Sequence, residues 1–139
     1  MIKKTFFGIL AMLALVCAGS WYFIHQNQAQ AVKAEARKTY IQSSRPTIFF
    51  HGWGSSSRAE RHMANAAKNA GVTQTIIEAK VAEDGTVTLK GTIPKDAVNP
   101  IVLVNFDNNR GASTQDQGNY AYAVVKALQD TYGIKEMNM

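Results

Sequence analysis

The chain has 139 residues, of which 46% are hydrophobic and 18% charged, and a formal net charge of +5. These proportions allow one small folded domain and exclude wholesale disorder. Residues 45–139 carry ten Lys or Arg against nine Asp or Glu, so most of the positive charge precedes them. The sequence therefore gives no support for a nucleic-acid partner. The single cysteine, Cys17, excludes a disulfide framework within the chain and a cysteine-based metal site.

The first 24 residues have the pattern of a membrane anchor. Lys3 and Lys4 precede Phe6–Ile24, 19 residues without a charge. As a helix this run would extend about 28 Å, close to the roughly 30 Å of a hydrocarbon core. The lysines favour a cytoplasmic N-terminus. We predict a single-pass signal anchor and transmembrane helix over residues 1–24 with the domain outside the cytoplasm; cleavage near Cys17 and secretion is the alternative.

Residues 25–44 are rich in Gln, Ala and Lys, without Gly or Pro, and predict a polar stalk. From residue 45 to residue 139 the apolar pattern alternates between strand and helix. The β-branched and aromatic run Thr47–Phe50 predicts a buried strand. It stops at the glycine-rich turn His51-Gly52-Trp53-Gly54.

The first helix of the domain is predicted directly after this turn. Ser57 and Glu60 have the spacing of a capping box, and Gly71 supplies the C-terminal stop. Ser55 and Ser56 are likewise interpreted as helix caps. The predicted buried face is a stripe of small and apolar residues at helical spacing: Ala59, Met63, Ala66, Ala67 and Ala70. His62 flanks this stripe and is interpreted as a surface histidine.

A hairpin and a second strand and helix follow. Alternating segments joined around Asp84-Gly85 predict a hairpin with one wet face. Ile101–Val104 is apolar without alternation, as in a parallel strand covered on both faces. Thr114 and Gln117 have capping-box spacing, and Gly133 ends the second helix. Its apolar stripe comprises Ala121, Val124, Val125, Leu128 and Tyr132.

The resulting order of elements predicts an α/β fold with a mostly parallel sheet and flanking helices. Residues 134–139 are expected to approach another strand. We expect the sheet to be unfinished, because the sequence stops on an apolar strand with no closing helix.

Two interpretations of the glycine-rich turn use its exposed backbone N–H groups. The first is an oxyanion hole for acyl transfer. The second is a dinucleotide site, since Gly52-x-Gly54-x-x-Ser57 follows a strand, opens a helix and has Glu78 downstream. The dinucleotide pattern lacks its third glycine, which is Ser57 here.

The residues around the turn favour the first interpretation. His51-Gly52-Trp53-Gly54 resembles the HGxG oxyanion motif that follows the third strand of α/β hydrolases. Phe106-Asp107-x-x-Arg110-Gly111 is similar to the loop after the fourth strand of that fold. With the anchor and the hairpin, these features resemble the bacterial cell-surface α/β hydrolase family of unassigned substrate. The resemblance covers residues 45–139, and the fold class it implies is a partial α/β-hydrolase fold with a β-hairpin insertion.

The resemblance implies a role for each residue of the two loops. Trp53 would donate its backbone N–H to the oxyanion, while Gly52 and Gly54 let the turn approach the substrate. His51 would be a structural histidine of the turn. Asp107 and Arg110 would lie near the site; on their own they are most simply a solvated loop pair. The implied substrate is a small ester or amide, with no metal and no cofactor.

The departure from the family pattern is the nucleophile. No G-x-S-x-G motif occurs in the 139 residues, so the catalytic triad is missing. As a complete product the chain would be an inactive hydrolase; as part of a longer protein it would belong to a serine hydrolase. A tethered, non-catalytic binding module and a nucleotide-binding domain are the alternatives.

Overall fold

The computed structural model describes residues 2–139, with side chains from Met12 onward. Its elements are α1 (Ile2–Thr39), β1 (Thr47–Phe49), α2 (Arg58–Asn69), β2 (Ile76–Val81), β3 (Val87–Lys90), β4 (Ile101–Phe106) and α3 (Thr114–Tyr132). The described strands form one sheet in the order β1-β4-β2-β3. β1, β4 and β2 are parallel, and β3 is antiparallel to β2. The predicted α/β alternation, mostly parallel sheet and hairpin are confirmed.

The sheet has a helix on each face, and β4 at its centre is covered by both. Val102 and Val104 belong to the apolar cluster that contains Val124 and Leu128 of α3. Ile101 and Leu103 point to the other face and pack with Ala64 of α2. All of Ile101–Val104 is buried, as the unalternating apolar run predicts.

The three parallel strands begin level with one another. Thr47 and Ile76 both pair with Ile101, and we call the region around these three residues the amino end of the sheet. The opposite region, after Phe49, Val81 and Phe106, is the carboxyl end. At about 3.3 Å per residue, the six residues of β4 separate the two ends by about 17 Å.

α2 buries a different face from the one predicted. Ala64 is 0% exposed, whereas Met63 is 56% exposed, and Ala59, Ala66 and Ala70 are also exposed. The predicted stripe is therefore wrong, although its member Ala67 is partly buried against the sheet. Because alanines occur on several sides of α2, hydropathy alone does not define the face that contacts the sheet.

Adding the same side chain on each of two faces of α2 tests which face packs against the sheet, the one observed or the one predicted. Ala64→Leu is expected to lower the free energy of unfolding by about 1–3 kcal/mol, because the added atoms have no space against Ile101 and Leu103. Ala66→Leu, on the exposed face, is the matched control and should change it by less than about 0.5 kcal/mol. Urea unfolding of the full chain in mild detergent measures both. Equal losses would contradict the observed packing.

α3 and the hairpin follow the prediction closely. Tyr120, Val124 and Leu128 are the buried residues of α3, and Gly133 ends it in the left-handed conformation at φ 67°. The capping box is Ser113 with Asp116, one residue earlier than the predicted Thr114 and Gln117. Ser and Thr both cap helices, so the sequence allowed either register.

α3 also holds the turn of the hairpin. The Tyr120 hydroxyl donates to the backbone carbonyl of Glu83 at 2.6 Å. Gly85 has φ 84°, and hydrogen bonds from Thr86 lower the pKa of Asp84 below its ordinary value. On α3 itself, hydrogen bonding to Asp130 raises the pKa of Lys126. Both ionised forms are therefore favoured in the folded protein near neutral pH.

The last residues approach the outer side of β1. Asn138 forms a parallel bridge with Thr47. The backbone N–H of Ile48 donates to the Asn138 carbonyl at 2.8 Å, and the Asn138 N–H donates to the Pro46 carbonyl at 2.9 Å. The predicted approach to a further strand is thus confirmed.

α1 runs without interruption through the predicted anchor and most of the predicted stalk. The predicted membrane-spanning run Phe6–Ile24 begins outside the residues whose side chains are described. Among the residues that are described, no helix combines the length and the apolarity needed to cross a membrane.

Candidate functional site

The candidate site lies at the carboxyl end of the sheet, where two loops meet. One is the glycine turn, residues 51–57, after β1; the other is the β4 loop, residues 107–113. β1 and β4 are adjacent parallel strands, so the loops that leave them are neighbours. In open α/β sheets, ligands bind outside the carboxyl ends of the strands.

His51 joins the two strands that carry these loops. Its ring is 7% exposed and packs edge-on against Phe106 with the ring centroids 5.3 Å apart. The backbone N–H of Phe106 donates to Nε2 at 3.0 Å. Because a backbone N–H can only donate, Nε2 carries no proton, and Nδ1 is the nitrogen that donates to the Gly52 carbonyl, 2.9 Å away. Both ring nitrogens are therefore engaged in holding the glycine turn to β4.

Asn109 clamps the β4 loop to the glycine turn. The backbone N–H of Gly54 donates to the Asn109 carbonyl at 3.0 Å, and the Asn109 side-chain amide donates to the Ser55 carbonyl. Gly54 has φ 68°, and a Cβ there would lie 3.2 Å from Nε of Arg110. This position therefore needs glycine both for its backbone conformation and for the close approach of Arg110.

Trp53 lies at the surface of the glycine turn. The side chain is 74% exposed, its indole N–H donates to the Arg110 carbonyl at 3.3 Å, and the Arg110 guanidinium is 5.7 Å from the ring. The backbone N–H groups of Gly54 and Ser55 have carbonyl acceptors. Among the backbone atoms of residues 2–139 and the side chains from Met12 onward, the backbone N–H of Trp53 has none.

Asp107 and Arg110 do not form the loop pair that we predicted. The carboxylate of Asp107 pairs instead with Lys80, with Nζ and Oδ2 2.9 Å apart. Arg110 lies over Trp53 and Gly54. The prediction is wrong because the pairing of β2 with β4 places Lys80 beside Asp107. Lys80 is distant from Asp107 in the sequence.

Comparison with known proteins identifies the family of this chain. Residues 34–139 match the sequence model of a family described as alpha/beta hydrolase of unknown function (DUF915). The chain belongs to this family. The resemblance stated from the HGxG turn and the β4 loop is thereby confirmed.

Two solved structures resemble this α/β-hydrolase chain. The product of the gene lin2722 from Listeria innocua is 25% identical with a TM-score of 0.63, over 68% of this chain and 38% of that one. A Lactobacillus plantarum WCFS1 protein that carries the provisional name cell surface hydrolase is 25% identical with a TM-score of 0.54, over 63% and 36%. The chain thus spans less than two-fifths of either neighbour. No curated protein matches the sequence.

In this α/β-hydrolase chain, Asn105 takes the capping position that was predicted for Glu60. The side-chain oxygen of Asn105 accepts the backbone N–H of Ser57 at 3.1 Å, and Ser57 forms no side-chain cap. Within the described part of the chain, Oε2 of Glu60 is buried without a hydrogen-bond partner. The predicted capping box of Ser57 and Glu60 is therefore wrong. Asn105, a strand residue 48 positions away in sequence, accepts the Ser57 N–H that Glu60 was predicted to accept.

The Ser57 hydroxyl donates to Glu78 at 3.1 Å instead of capping α2. The same carboxylate accepts from Arg61 at 2.8 Å and lies 3.7 Å from the Lys90 ammonium. Glu78 is thus already committed to protein partners, which speaks against the dinucleotide interpretation. Of the three serines, Ser56 has a hydroxyl that accepts from a backbone N–H near the start of α2, that of Arg58, at 3.4 Å.

The remaining histidine of the domain and the acidic side chains described from Met12 onward form no metal-binding cluster at the candidate site. His62 is exposed on α2. Among the side chains described from Met12 onward, no three His, Cys, Asp or Glu groups lie close enough to hold a metal ion. Among the described residues, the two loops therefore offer the backbone N–H of Trp53 and the Arg110 guanidinium to a ligand.

Proposed function

We propose that this chain forms the oxyanion side of an extracytoplasmic serine hydrolase that cleaves a small ester or amide. The single observation that carries the proposal is the backbone N–H of Trp53, which has no acceptor among the backbone atoms of residues 2–139 or the side chains from Met12 onward, although its turn is clamped on both sides. In acyl transfer the carbonyl oxygen gains negative charge in the tetrahedral state. A donor fixed beside that oxygen contributes roughly 3–4 kcal/mol to the transition state.

The fixed geometry of the turn suits this role. Its first residue, His51, is hydrogen-bonded to β4, and Asn109 is hydrogen-bonded to Gly54 and Ser55. The Trp53 donor therefore needs little reorganisation when charge develops. Gly52 has open space where a Cβ would be, so a substrate can approach the backbone. Because residues 1–139 contain no G-x-S-x-G motif, we place the nucleophile, acid and base in further sequence of the native protein.

The proposed location is the outer face of a cell membrane. One structural neighbour carries the name cell surface hydrolase, and α1 exposes large apolar side chains between Met12 and Ile24. An apolar surface of this kind marks an interaction with a membrane or another protein. We propose that it continues the predicted anchor into a bilayer.

A fluorophosphonate probe applied to the native gene product tests the proposal. The product is isolated from the membrane fraction of its own cells, and its intact mass is measured together with labelling. A mass well above the 15.2 kDa of these residues with covalent labelling is the expected result. Heat-denatured product is the control for non-specific labelling.

The opposite result identifies a different function. A product of about 15.2 kDa that takes up no probe would overturn the hydrolase proposal. It would favour a tethered binding module, with the exposed Trp53 and Arg110 side chains as its contact surface. A longer product that takes up no probe would also count against serine catalysis.

A further inference from the structure

The segment between α1 and β1 is latched to the domain by Asn99. The side-chain amide of Asn99 donates to the Ile41 carbonyl at 3.0 Å and to the Val72 carbonyl at 3.3 Å, and its oxygen accepts the Ser43 N–H at 2.9 Å. Its backbone N–H donates to the Ser43 carbonyl at 2.6 Å. Asn99 has φ 47°, the left-handed region that most side chains avoid. Such a strained position persists when the surrounding contacts hold it.

The end of α1 itself also docks on the domain. Ala36 is 3% exposed, and a Cβ on Gly71 would lie 3.1 Å from the Val32 carbonyl. The Gly71 turn follows α2 and leads into β2. Helix and domain thus meet at the amino end of the sheet through two separate sets of contacts, which makes the junction a fixed joint.

Beyond this joint α1 leaves the domain. Every described side chain from residue 12 to residue 35 is exposed, so the helix does not lie along the sheet. Its large apolar side chains between Met12 and Ile24 are 55–72% exposed. Ile24 is eight residues before Val32, which is about 12 Å along a helix. The apolar segment therefore begins close to the amino end of the sheet.

The surface next to the joint is basic. Two clefts open there, of about 760 and 290 Å³. Five cationic side chains line them against two carboxylates, Asp96 and Glu136: Lys33, Arg37, Arg45, Lys95 and Lys135. This excess complements the negative surface of a bilayer that contains anionic lipids.

We propose that α1 is a fixed arm that turns the amino end of the sheet, with its basic surface, toward an anionic bilayer. This inference rests on the membrane anchoring proposed above and adds an orientation to it. The glycine turn and the β4 loop lie at the other end of the parallel strands. The candidate site therefore opens away from the bilayer, and its substrate arrives from the aqueous side.

Energy transfer to a labelled bilayer measures this orientation. The full chain, carrying Cys17→Ser, is reconstituted in phosphatidylglycerol and phosphatidylcholine vesicles with an acceptor lipid. Single cysteines are introduced by Gln74→Cys, before β2, and by Glu83→Cys, after it; both positions are exposed. A membrane-impermeant donor dye of short transfer range labels outward-facing domains only. Because β2, itself about 17 Å long, lies between the two positions, the expected result is clearly stronger transfer from position 74.

Breaking the latch should reduce the difference. Asn99→Gly removes the side-chain hydrogen bonds while allowing the left-handed backbone, so only the contacts of the α1 end and the Asn99 backbone still hold the domain, and the two transfer efficiencies move toward each other. Asn65→Ala, at an exposed position of α2, is the matched control and should keep the wild-type difference.

The outcomes separate this inference from the anchoring proposal. Equal transfer from the two positions in a chain that floats with vesicles would overturn the fixed arm and leave the anchor standing. A chain that stays in solution without floating would overturn the anchor, and this inference with it. Dimers of such a chain would identify a second copy as the partner of the apolar segment.

Discussion

Replacing Trp53 by proline in the native gene product, the serine hydrolase proposed above, is expected to lower kcat by about 10²- to 10³-fold. Proline has no backbone N–H, so the variant removes the proposed oxyanion donor. Loss of one such donor lowers kcat by about this factor. Trp53→Ala is the matched control, because it removes the indole and keeps the amide. It should leave kcat within a few-fold of the wild type. Ester turnover under saturating substrate measures both.

The same pair of variants tests whether the turn has kept its shape. Thermal unfolding of Trp53→Pro should remain within a few degrees of Trp53→Ala, since the Asn109 clamp and the His51 bridge do not use the Trp53 amide. If both variants turn over substrate equally well, the Trp53 N–H is not the donor. If the loss appears in Trp53→Ala as well, the indole and its contact with Arg110 carry the effect.

Removing the His51 side chain should destabilise the folded protein without removing a catalytic base. His51→Ala leaves the part-buried Phe106 N–H without its acceptor, which costs about 1–3 kcal/mol of unfolding free energy. His51→Gln can return an oxygen to the position of Nε2 and is expected to recover more than half of that loss. Chemical denaturation measures both, with the exposed His62→Ala as control, expected within about 0.5 kcal/mol of the wild type.

Turnover by His51→Gln then separates a structural histidine from a chemical one. General acid–base catalysis contributes about 10²- to 10⁴-fold, which glutamine cannot supply. If the variant is stable and its kcat is within a few-fold of the wild type, His51 has a structural role as the bridge between β1 and β4. A stable variant that has lost kcat by two orders of magnitude or more would overturn that assignment.

The sequence predicted those parts of the fold that local patterns encode. The unalternating run Ile101–Val104 predicted the covered central strand, and Asp84-Gly85 predicted the hairpin turn. Gly133 marked the end of α3. In each case the deciding signal lies within a few residues of the feature, and hydrophobic period or turn chemistry is a sufficient guide.

The wrong predictions concern donors and acceptors with distant partners. Ser57 has the spacing of a cap, yet its N–H and hydroxyl are taken by Asn105 and Glu78. Asp107 pairs with Lys80, from a different strand. These competitors become neighbours only through the sheet register, which a local pattern does not contain. An asparagine at the end of an otherwise apolar strand was the one available signal for the first of them.

The clamps across the candidate site also set when it can form during folding. His51 and Phe106 are 55 residues apart, and Asn109 and Ser55 are 54 apart. Forming a contact between residues so distant in sequence costs the entropy of closing the loop between them. The β2–β3 hairpin, by contrast, needs only its own turn. The donor geometry of the glycine turn is therefore a product of complete sheet assembly, and a chain arrested at the hairpin would lack the ordered glycine turn.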